Sequence, residues 1–178
     1  SEINSIKSAI RQDNVHFPRT ALICLENTQN MCFGAPINSS YMNDVYTLTK
    51  KNNLKLHIDG ARIFNAAVAL NINIKELVQY TDSITFCLSK GLSSPIGSIL
   101  CGNKEFIHEA RRIRKVLGGG MRQAGIIAAA GDIALDNTEQ LKIDHDNAKY
   151  LAEGINEIPY LNIEIDRIQT NILYFTIN

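Results

Sequence analysis

The chain has 178 residues, of which 45% are hydrophobic and 20% charged, and its formal net charge is zero. Such a composition is typical of a globular protein large enough to bury a core. The balanced charge argues against a nucleic-acid or anionic-membrane binder. No apolar stretch approaches the roughly 18 residues of a transmembrane helix, and the first ten residues lack the layout of a signal peptide. Because position 1 is not Met, we expect the start to be processed, cut or engineered.

The four cysteines show no short spacing of the kind that zinc sites and redox motifs use. Cys24, Cys87 and Cys101 lie in apolar runs, so we expect them to be small core side chains. Cys32 lies in a polar loop and is expected to be exposed. This usage favours a reducing, cytoplasmic compartment.

The apolar periodicity and the turn residues divide the chain into alternating short strands and helices. In chain order the predicted helices cover 1–12, 41–52, 61–70, 74–80, 104–116, 122–135 and 139–156. The predicted strands cover 21–25, 54–58, 83–88, 98–101, 161–165 and 172–177. This alternation predicts an α/β fold with a mainly parallel sheet flanked by helices. After about residue 136 the pattern changes, which predicts one domain over 1–135 and the beginning of a small α+β domain over 136–178.

An acidic residue, Asp59, ends the second predicted strand and is followed by Gly60. Ligands of parallel α/β sheets bind beyond the carboxyl ends of the strands, where Asp59 is expected to lie. Taken alone, Asp59 could equally cap the helix that follows.

A lysine, Lys90, leaves the third predicted strand at the same edge of the sheet, next to Gly91. A single lysine there is ordinarily a solvated loop residue. Its flanks are apolar or small, however, and partial desolvation would favour the neutral amine that Schiff-base chemistry needs. Enzymes that use pyridoxal phosphate (PLP) need a lysine for the aldehyde and an acid for the pyridine nitrogen. Lys90 and Asp59 supply that pair.

The longest recognisable segment runs from "HIDGARIF" through "SITFCLSKGLSSPIGSILCGNKEFIHEARRIRKVLGGGMRQAGIIAAAGDIAL". With "LENTQN" near residues 25–30 and, more weakly, "DHDNAKYLAEGI", it resembles the threonine aldolases of the β-eliminating lyase group. The resemblance covers nearly the whole chain through several independent short motifs. It implies a PLP-dependent transferase-like α/β architecture of fold type I, with PLP as the cofactor.

The resemblance also implies roles for individual residues. Lys90 matches the lysine that forms the Schiff base with PLP, and Asp59 matches the acid on the pyridine nitrogen. Arg62, one turn further on, matches the arginine near the phenolic oxygen of the cofactor. Lys115 and Arg122 match basic residues that line the active site, from a neighbouring subunit of the family's oligomers.

The basic run 111–115 and the glycines 118–120 also have simpler interpretations, as a solvated helix face and a helix break. A glycine turn followed by Arg122 would nevertheless let backbone amides and a guanidinium approach a phosphate. We therefore favour Arg122 over Lys115 as a cofactor ligand. The small residues 125–131 predict a tightly packed helix at a possible subunit interface.

Two further candidates, Asn27 and Thr28, follow the first strand at the same edge and are expected to touch the cofactor ring or its oxygen. Gln29 stands where the family motif has histidine, which leaves the role of that position open. His57 points to the same face as Asp59, so it is either a packed core residue or a neighbour of the site. The other histidines are expected at the surface: His16, His108 and His145.

The resemblance implies PLP-dependent cleavage of threonine or allo-threonine to glycine and acetaldehyde. Family members are roughly twice as long, and nothing here matches their N-terminal phosphate loop or their C-terminal carboxylate-binding arginine. We therefore expect a fragment, a truncated product or one piece of a larger enzyme. The alternatives are a catalytically incomplete fragment and a related PLP-dependent lyase or racemase. Expected partners are an amino-acid substrate and either a second copy, in a dimer or tetramer, or the missing part. No metal is expected.

Overall fold

The computed structural model describes residues 2–178, which form two sheets and a series of helices. The helices are α1 (Ile3–Ala9), α2 (Ser39–Lys51), α3 (Ile63–Leu70), α4 (Ile74–Val78), α5 (Lys104–Val116), α6 (Gly125–Asp136) and α7 (Gln140–Asn156). The strands are β1 (Leu22–Glu26), β2 (Lys55–Asp59), β3 (Ser83–Cys87), β4 (Ser98–Gly102), β5 (Leu161–Ile163) and β6 (Phe175–Ile177). The expected alternation of strands and helices is confirmed.

The main sheet has the strand order β1-β2-β3-β4, with β1, β2 and β3 parallel and β4 antiparallel to β3. Glu26 lies opposite Asp59, and Asp59 lies opposite Thr85. The three parallel strands therefore end at one common edge, and the segments that follow them meet there. This is the mainly parallel α/β arrangement that the sequence predicts.

One face of this sheet carries the core of the domain. Successive strand residues point to opposite faces, and Ile23, Leu56, Ile58 and Ile84 all point to the face that is buried. Helices α2, α3 and α4 cover that face with buried apolar side chains. The N-terminal helix α1 adds the predicted apolar side chains Ile3, Ile6 and Ile10 at the margin of the same cluster.

The opposite face of the sheet is open in the described chain, and this overturns part of the cysteine prediction. Cys24 faces that side and is exposed, and Cys101 in β4 is exposed as well. Both were expected in the core. An apolar run indicates a strand, but it does not show which face is covered, as at Cys24, or that the strand lies at the edge of the sheet, as at Cys101. Cys87 is half-buried, and the expected exposure of Cys32 is confirmed.

The last part of the chain combines α7 with a separate antiparallel pair, β5 and β6. Helix α7 contacts β5 on one side and α3 on the other. Ala148, Ala152 and Ile168 form a small buried cluster between α7 and the segment that precedes β6. The proposed domain boundary near residue 136 coincides with the end of α6 and stays a prediction. Among the described residues, no helix has the length and apolar character needed to cross a membrane.

Candidate active site

Asp59 is the last residue of β2, and its side chain is exposed at the edge where the parallel strands end. Its Oδ1 accepts a hydrogen bond from the backbone N–H of Ala61 at 3.1 Å. Helix α3 begins only at Ile63, with Arg62 at the N-cap, so Asp59 forms a turn ahead of the helix and is not its cap. Within residues 2–178 no cation pairs with the carboxylate, which leaves it available to a ligand at the sheet edge.

Gly60 lets the chain turn tightly across β3 directly after Asp59. Its N–H donates to the carbonyl oxygen of Thr85 at 2.7 Å. A Cβ atom at this position would lie 2.9 Å from that same oxygen and 2.9 Å from Cδ1 of Ile84, closer than real Cβ atoms come. The glycine thus fixes where the carboxylate of Asp59 stands relative to β3.

Lys90 lies in the segment that leaves β3, between two buried leucines, Leu88 and Leu92. Its carbonyl oxygen accepts a hydrogen bond from Ser93 N–H at 2.9 Å, which closes a turn. The backbone of this segment is therefore anchored, but Lys90 itself is exposed and forms no ion pair with any of residues 2–178. The expected partial desolvation of Lys90 is not observed, because its neighbours Leu88 and Leu92 are buried but Lys90 is not.

Asn27 and Thr28 follow β1 at the same edge and are both fully buried. The N–H of Asn27 donates to the carbonyl oxygen of Asp59 at 2.9 Å. The amide side chain of Asn27 is bonded to both backbone groups of Ile37, at 3.0 Å each, so it braces the loop. The hydroxyl of Thr28 is buried and has no hydrogen-bond partner among the described residues. A buried hydroxyl without a partner is unusual, and it lies beside the strand end that carries Asp59.

The three basic candidates differ in where the fold places them. Arg62 is half-buried at the N-cap of α3, directly after the Asp59 turn. Lys115 lies at the end of α5, where a Cβ on Gly120 would come within 2.9 Å of its Cδ. Arg122 is exposed in the turn before α6. No hydrogen bond or ion pair among residues 2–178 joins Lys115 or Arg122 to Asp59 or Lys90, so their proposed roles stay predictions.

The histidines show one clear error of the sequence analysis. His145, expected at the surface, is buried on α7, and its Nε2 lies 3.1 Å from Nδ2 of Asn65 on α3. The signal was present in the sequence, because Leu141, His145 and Ala148 follow the helical spacing of one buried face. His57 is half-buried and pairs with Ser83 Oγ at 2.8 Å. His16 and His108 are exposed, as predicted.

Solved structures share this architecture. A putative L-allo-threonine aldolase from Listeria monocytogenes superposes with a TM-score of 0.80 and 22% identity, over 97% of this chain and 46% of that one. A PLP-dependent aminotransferase from Streptococcus suis superposes with a TM-score of 0.69 and 17% identity, over 99% of this chain and 46% of that one. At these identities the likeness establishes the fold, an α/β sheet of the fold type I class.

Sequence comparison narrows the class to a family. Residues 1–178 match the family model described as beta-eliminating lyase. The chain is 50% identical to the probable low-specificity L-threonine aldolase 2 of Arabidopsis thaliana, over 99% of this chain and 50% of that one. It is 47% identical to the low specificity L-threonine aldolase of Escherichia coli K12, over 97% and 50% of the two chains. The chain therefore belongs to the beta-eliminating lyase family, and it spans about half the length of these curated relatives.

Proposed function

We propose that this chain forms the lysine-bearing part of a PLP-dependent enzyme that cleaves threonine or allo-threonine to glycine and acetaldehyde. One observation supports this above all. Asp59 ends β2 and Lys90 follows the neighbouring parallel strand β3 at the same sheet edge, and both are exposed and without an ion-pair partner among residues 2–178. The chain that carries them is 50% and 47% identical in sequence to two proteins named as L-threonine aldolases.

The residues at this edge fit PLP by their chemistry. When bound, PLP would supply an aldehyde for amines and a protonated ring able to take up the electron pair of a cleaved Cα–Cβ bond. Lys90 is the exposed primary amine that would hold the aldehyde carbon. Asp59 would keep a proton on the ring nitrogen, since a carboxylate beside a cationic nitrogen favours the charged form. The buried hydroxyl of Thr28, which lacks a partner in the described chain, would become satisfied if a polar group of the ligand reached it.

The basic residues would serve the anionic groups of the same ligand. Arg62, one turn beyond Asp59, would face the phenolic oxygen. Arg122, with the glycine turn before it, would contribute a guanidinium to a phosphate, and Lys115 is the weaker candidate for that role. Asn27 would act indirectly, because its side chain is bonded to Ile37 and its backbone N–H holds the carbonyl oxygen of Asp59.

A second candidate is that the chain holds the cofactor yet needs further polypeptide for cleavage. The open sheet face around Cys24 supports this, as do the exposed apolar side chains of Ile126 and Ile133 on α6. Either a second copy, in a homodimer or tetramer, or a missing part of the enzyme would cover them.

A related PLP-dependent lyase or racemase would use the same Lys90 and Asp59 and differ in the bond broken. Four unpaired cysteines support a cytoplasmic location.

Reductive trapping tests the cofactor proposal directly. The protein is incubated with PLP, reduced with borohydride and digested, and the modified lysine is located by mass spectrometry. We expect the label on Lys90 and its loss in Lys90→Ala. Lys51→Ala is the matched control, because Lys51 is also an exposed lysine but lies at the end of α2. Equal labelling of wild type and Lys90→Ala would refute the assignment.

Assays on the trapped site's neighbours then separate the candidate reactions. Asp59→Asn should still be labelled at Lys90 but should lose turnover, because a neutral amide does not hold the proton on the ring nitrogen. Release of glycine and acetaldehyde from threonine identifies an aldolase, whereas inversion of configuration at Cα without cleavage identifies a racemase. Labelling at Lys90 without any turnover identifies the incomplete chain, and activity should then return when the remaining part is supplied.

A further inference from the structure

Asn65 on α3 and His145 on α7 form a buried polar pair between two helices far apart in sequence. Nδ2 of Asn65 lies 3.1 Å from Nε2 of His145, and the residues are 2% and 6% exposed. The amide nitrogen can only donate, so Nε2 of the imidazole accepts and carries no proton. A protonated ring would place two donors face to face in a buried position, which is unfavourable.

The turn that carries Lys90 rests on this same pair. A Cβ on Gly91 would lie 3.4 Å from Oδ1 of Asn65 and 2.5 Å from Cδ2 of Leu141. Leu141 lies one helical turn before His145, so both project from one face of α7. The Gly91 backbone therefore packs into the corner that α3 and α7 make where Asn65 and His145 join them. Any shift of that corner moves the residue directly after Lys90.

The surroundings of His145 favour its neutral ring, but an adjoining cleft gives solvent access to it. Burial lowers the pKa of His145 from its ordinary value of 6.5, against the opposing effect of the acidic residues beside it on α7. A cleft of about 990 Å³ runs along the α3–α7 junction and reaches His145. From α3 and the segment before β6, the residues lining the cleft are uncharged. The charged groups near the ring are Glu139, Lys142, Asp144, Asp146 and Lys149.

We propose that Asn65 and His145 are positioning residues for Lys90: their hydrogen bond holds the Gly91 turn against α7 while His145 is neutral, and protonation of His145 releases it. The consequence for cofactor capture rests on the proposed role of Lys90. The mechanical link between His145 and the Gly91 turn does not, and it can be tested without PLP.

The link itself is measured by NMR on the ¹⁵N-labelled chain titrated through acid pH. The amide signals of Lys90 and Gly91 should shift with the same midpoint as the imidazole of His145, below pH 6.5. Gly102, on the far strand β4, should not follow that midpoint. In His145→Gln the side-chain oxygen can accept from Asn65 but does not titrate, so the shift at Gly91 should vanish. A Gly91 signal that titrates unchanged in His145→Gln, or never titrates with His145, overturns the proposal.

Asn65→Asp provides the opposite perturbation. A carboxylate at position 65 accepts a hydrogen bond from a protonated imidazole, so the midpoint of His145 should move upward. Because the protonated imidazole then stays hydrogen-bonded to position 65, the Lys90 and Gly91 amides should lose the shift that wild type shows in weak acid. If the midpoint of His145 rises while those amides keep their original behaviour, the pair does not position the turn.

Reductive trapping with PLP gives the functional readout. At neutral pH His145→Ala should slow labelling of Lys90 about fivefold to tenfold, as expected for losing a hydrogen bond to a buried group. At neutral pH His145→Gln should label Lys90 at a rate within about twofold of the wild-type rate. In weak acid this variant should not show the additional slowing that protonation of His145 causes in wild type. Equal slowing in both variants overturns the positioning role. Absence of label on Lys90 in wild type would instead refute the proposed function. The NMR titration would then still test whether His145 controls the Gly91 turn.

Discussion

Helices α2 and α5 are alike in length and capping but differ in burial. Each has 13 residues, each has an asparagine N-cap whose side chain accepts a hydrogen bond from the backbone, and each has two basic residues in its last turn. Helix α2 buries Met42, Val45 and Leu48 against the sheet. Helix α5 buries nothing in the described chain, and its Ile113 and Val116 are 57% and 85% exposed. Caps and propensity thus set where a helix lies along the chain, whereas burial depends on what packs against it.

The largest expected effect tests that difference directly. Met42→Ala removes a side chain that is 1% exposed in the core and should cost about 2–5 kcal/mol of unfolding free energy. Ile113→Ala removes an exposed side chain from the matching helix and should change stability by no more than about 0.5 kcal/mol. Urea unfolding of both variants measures the two values. A comparable loss in Ile113→Ala would show that α5 is covered in solution.

The sequence predicts these two helices equally well, because their boundaries depend on local signals. The predicted range 104–116 for α5 is the observed one, and the range for α2 differs by two residues at its start and one at its end. Helix α6 begins at Gly125, after the position predicted, because Gln123 takes a left-handed backbone conformation with φ 52°. Local patterns do not reveal such a break.

In the candidate site, too, some features follow from the local sequence and others depend on contacts between distant residues. Asp59 and Lys90 could be assigned to one edge because parallel strands share the direction of their carboxyl ends. The helical spacing on α7 indicated the burial of His145, but neither its partner Asn65 nor the exposure of Cys24 could be predicted from local pattern alone. Each depends on a partner distant in sequence: Asn65 covers His145, and in the described chain nothing covers Cys24.

The loop that leads into α2 is also held by a contact with a distant part of the chain. The hydroxyl of Thr170 donates to the carbonyl oxygen of Gly34 at 2.9 Å, which fastens this loop to the C-terminal segment. Gly34 has φ +65°, and a Cβ there would overlap Oγ1 of Thr170. Gly34→Ala should therefore cost about 1–3 kcal/mol, through strain and the loss of this bond.

Gly154→Ala is the matched control for that substitution. Gly154 lies inside α7, and a Cβ there meets nothing within 4 Å. An alanine should raise stability by about 0.5–1 kcal/mol, because glycine is a poor helix former. Thermal unfolding should shift in opposite directions for the two variants. A destabilised Gly154→Ala together with a neutral Gly34→Ala would contradict the loop contact.

The smallest expected effect concerns the basic ends of the two helices. Asp82 Oδ1 lies 3.3 Å from Lys50 Nζ of α2 and 3.2 Å from Lys55 Nζ, and its Oδ2 accepts from Leu56 N–H at 2.9 Å. Burial raises the pKa of Asp82, but the bond from Leu56 and the two lysines outweigh it, so that the pKa lies below 3.8. Arg114 at the end of α5 has no such carboxylate among residues 2–178.

Asp82→Asn keeps an acceptor for Leu56 but removes the charge. It should cost about 1 kcal/mol or less near pH 7, because the lysines are partly exposed and solvent screens them. A carboxyl group with a lowered pKa stabilises the fold above the unfolded value and loses that contribution as pH falls through the folded value. The gap between wild type and Asp82→Asn should therefore be constant above about pH 5 and narrow as the pH falls from about 4 through the lowered folded pKa of Asp82. Arg114→Gln, the control on α5, should leave stability unchanged across this range. A gap that does not narrow as the pH falls through the folded pKa of Asp82 would place the effect in packing, because electrostatic stabilisation is lost with the charge.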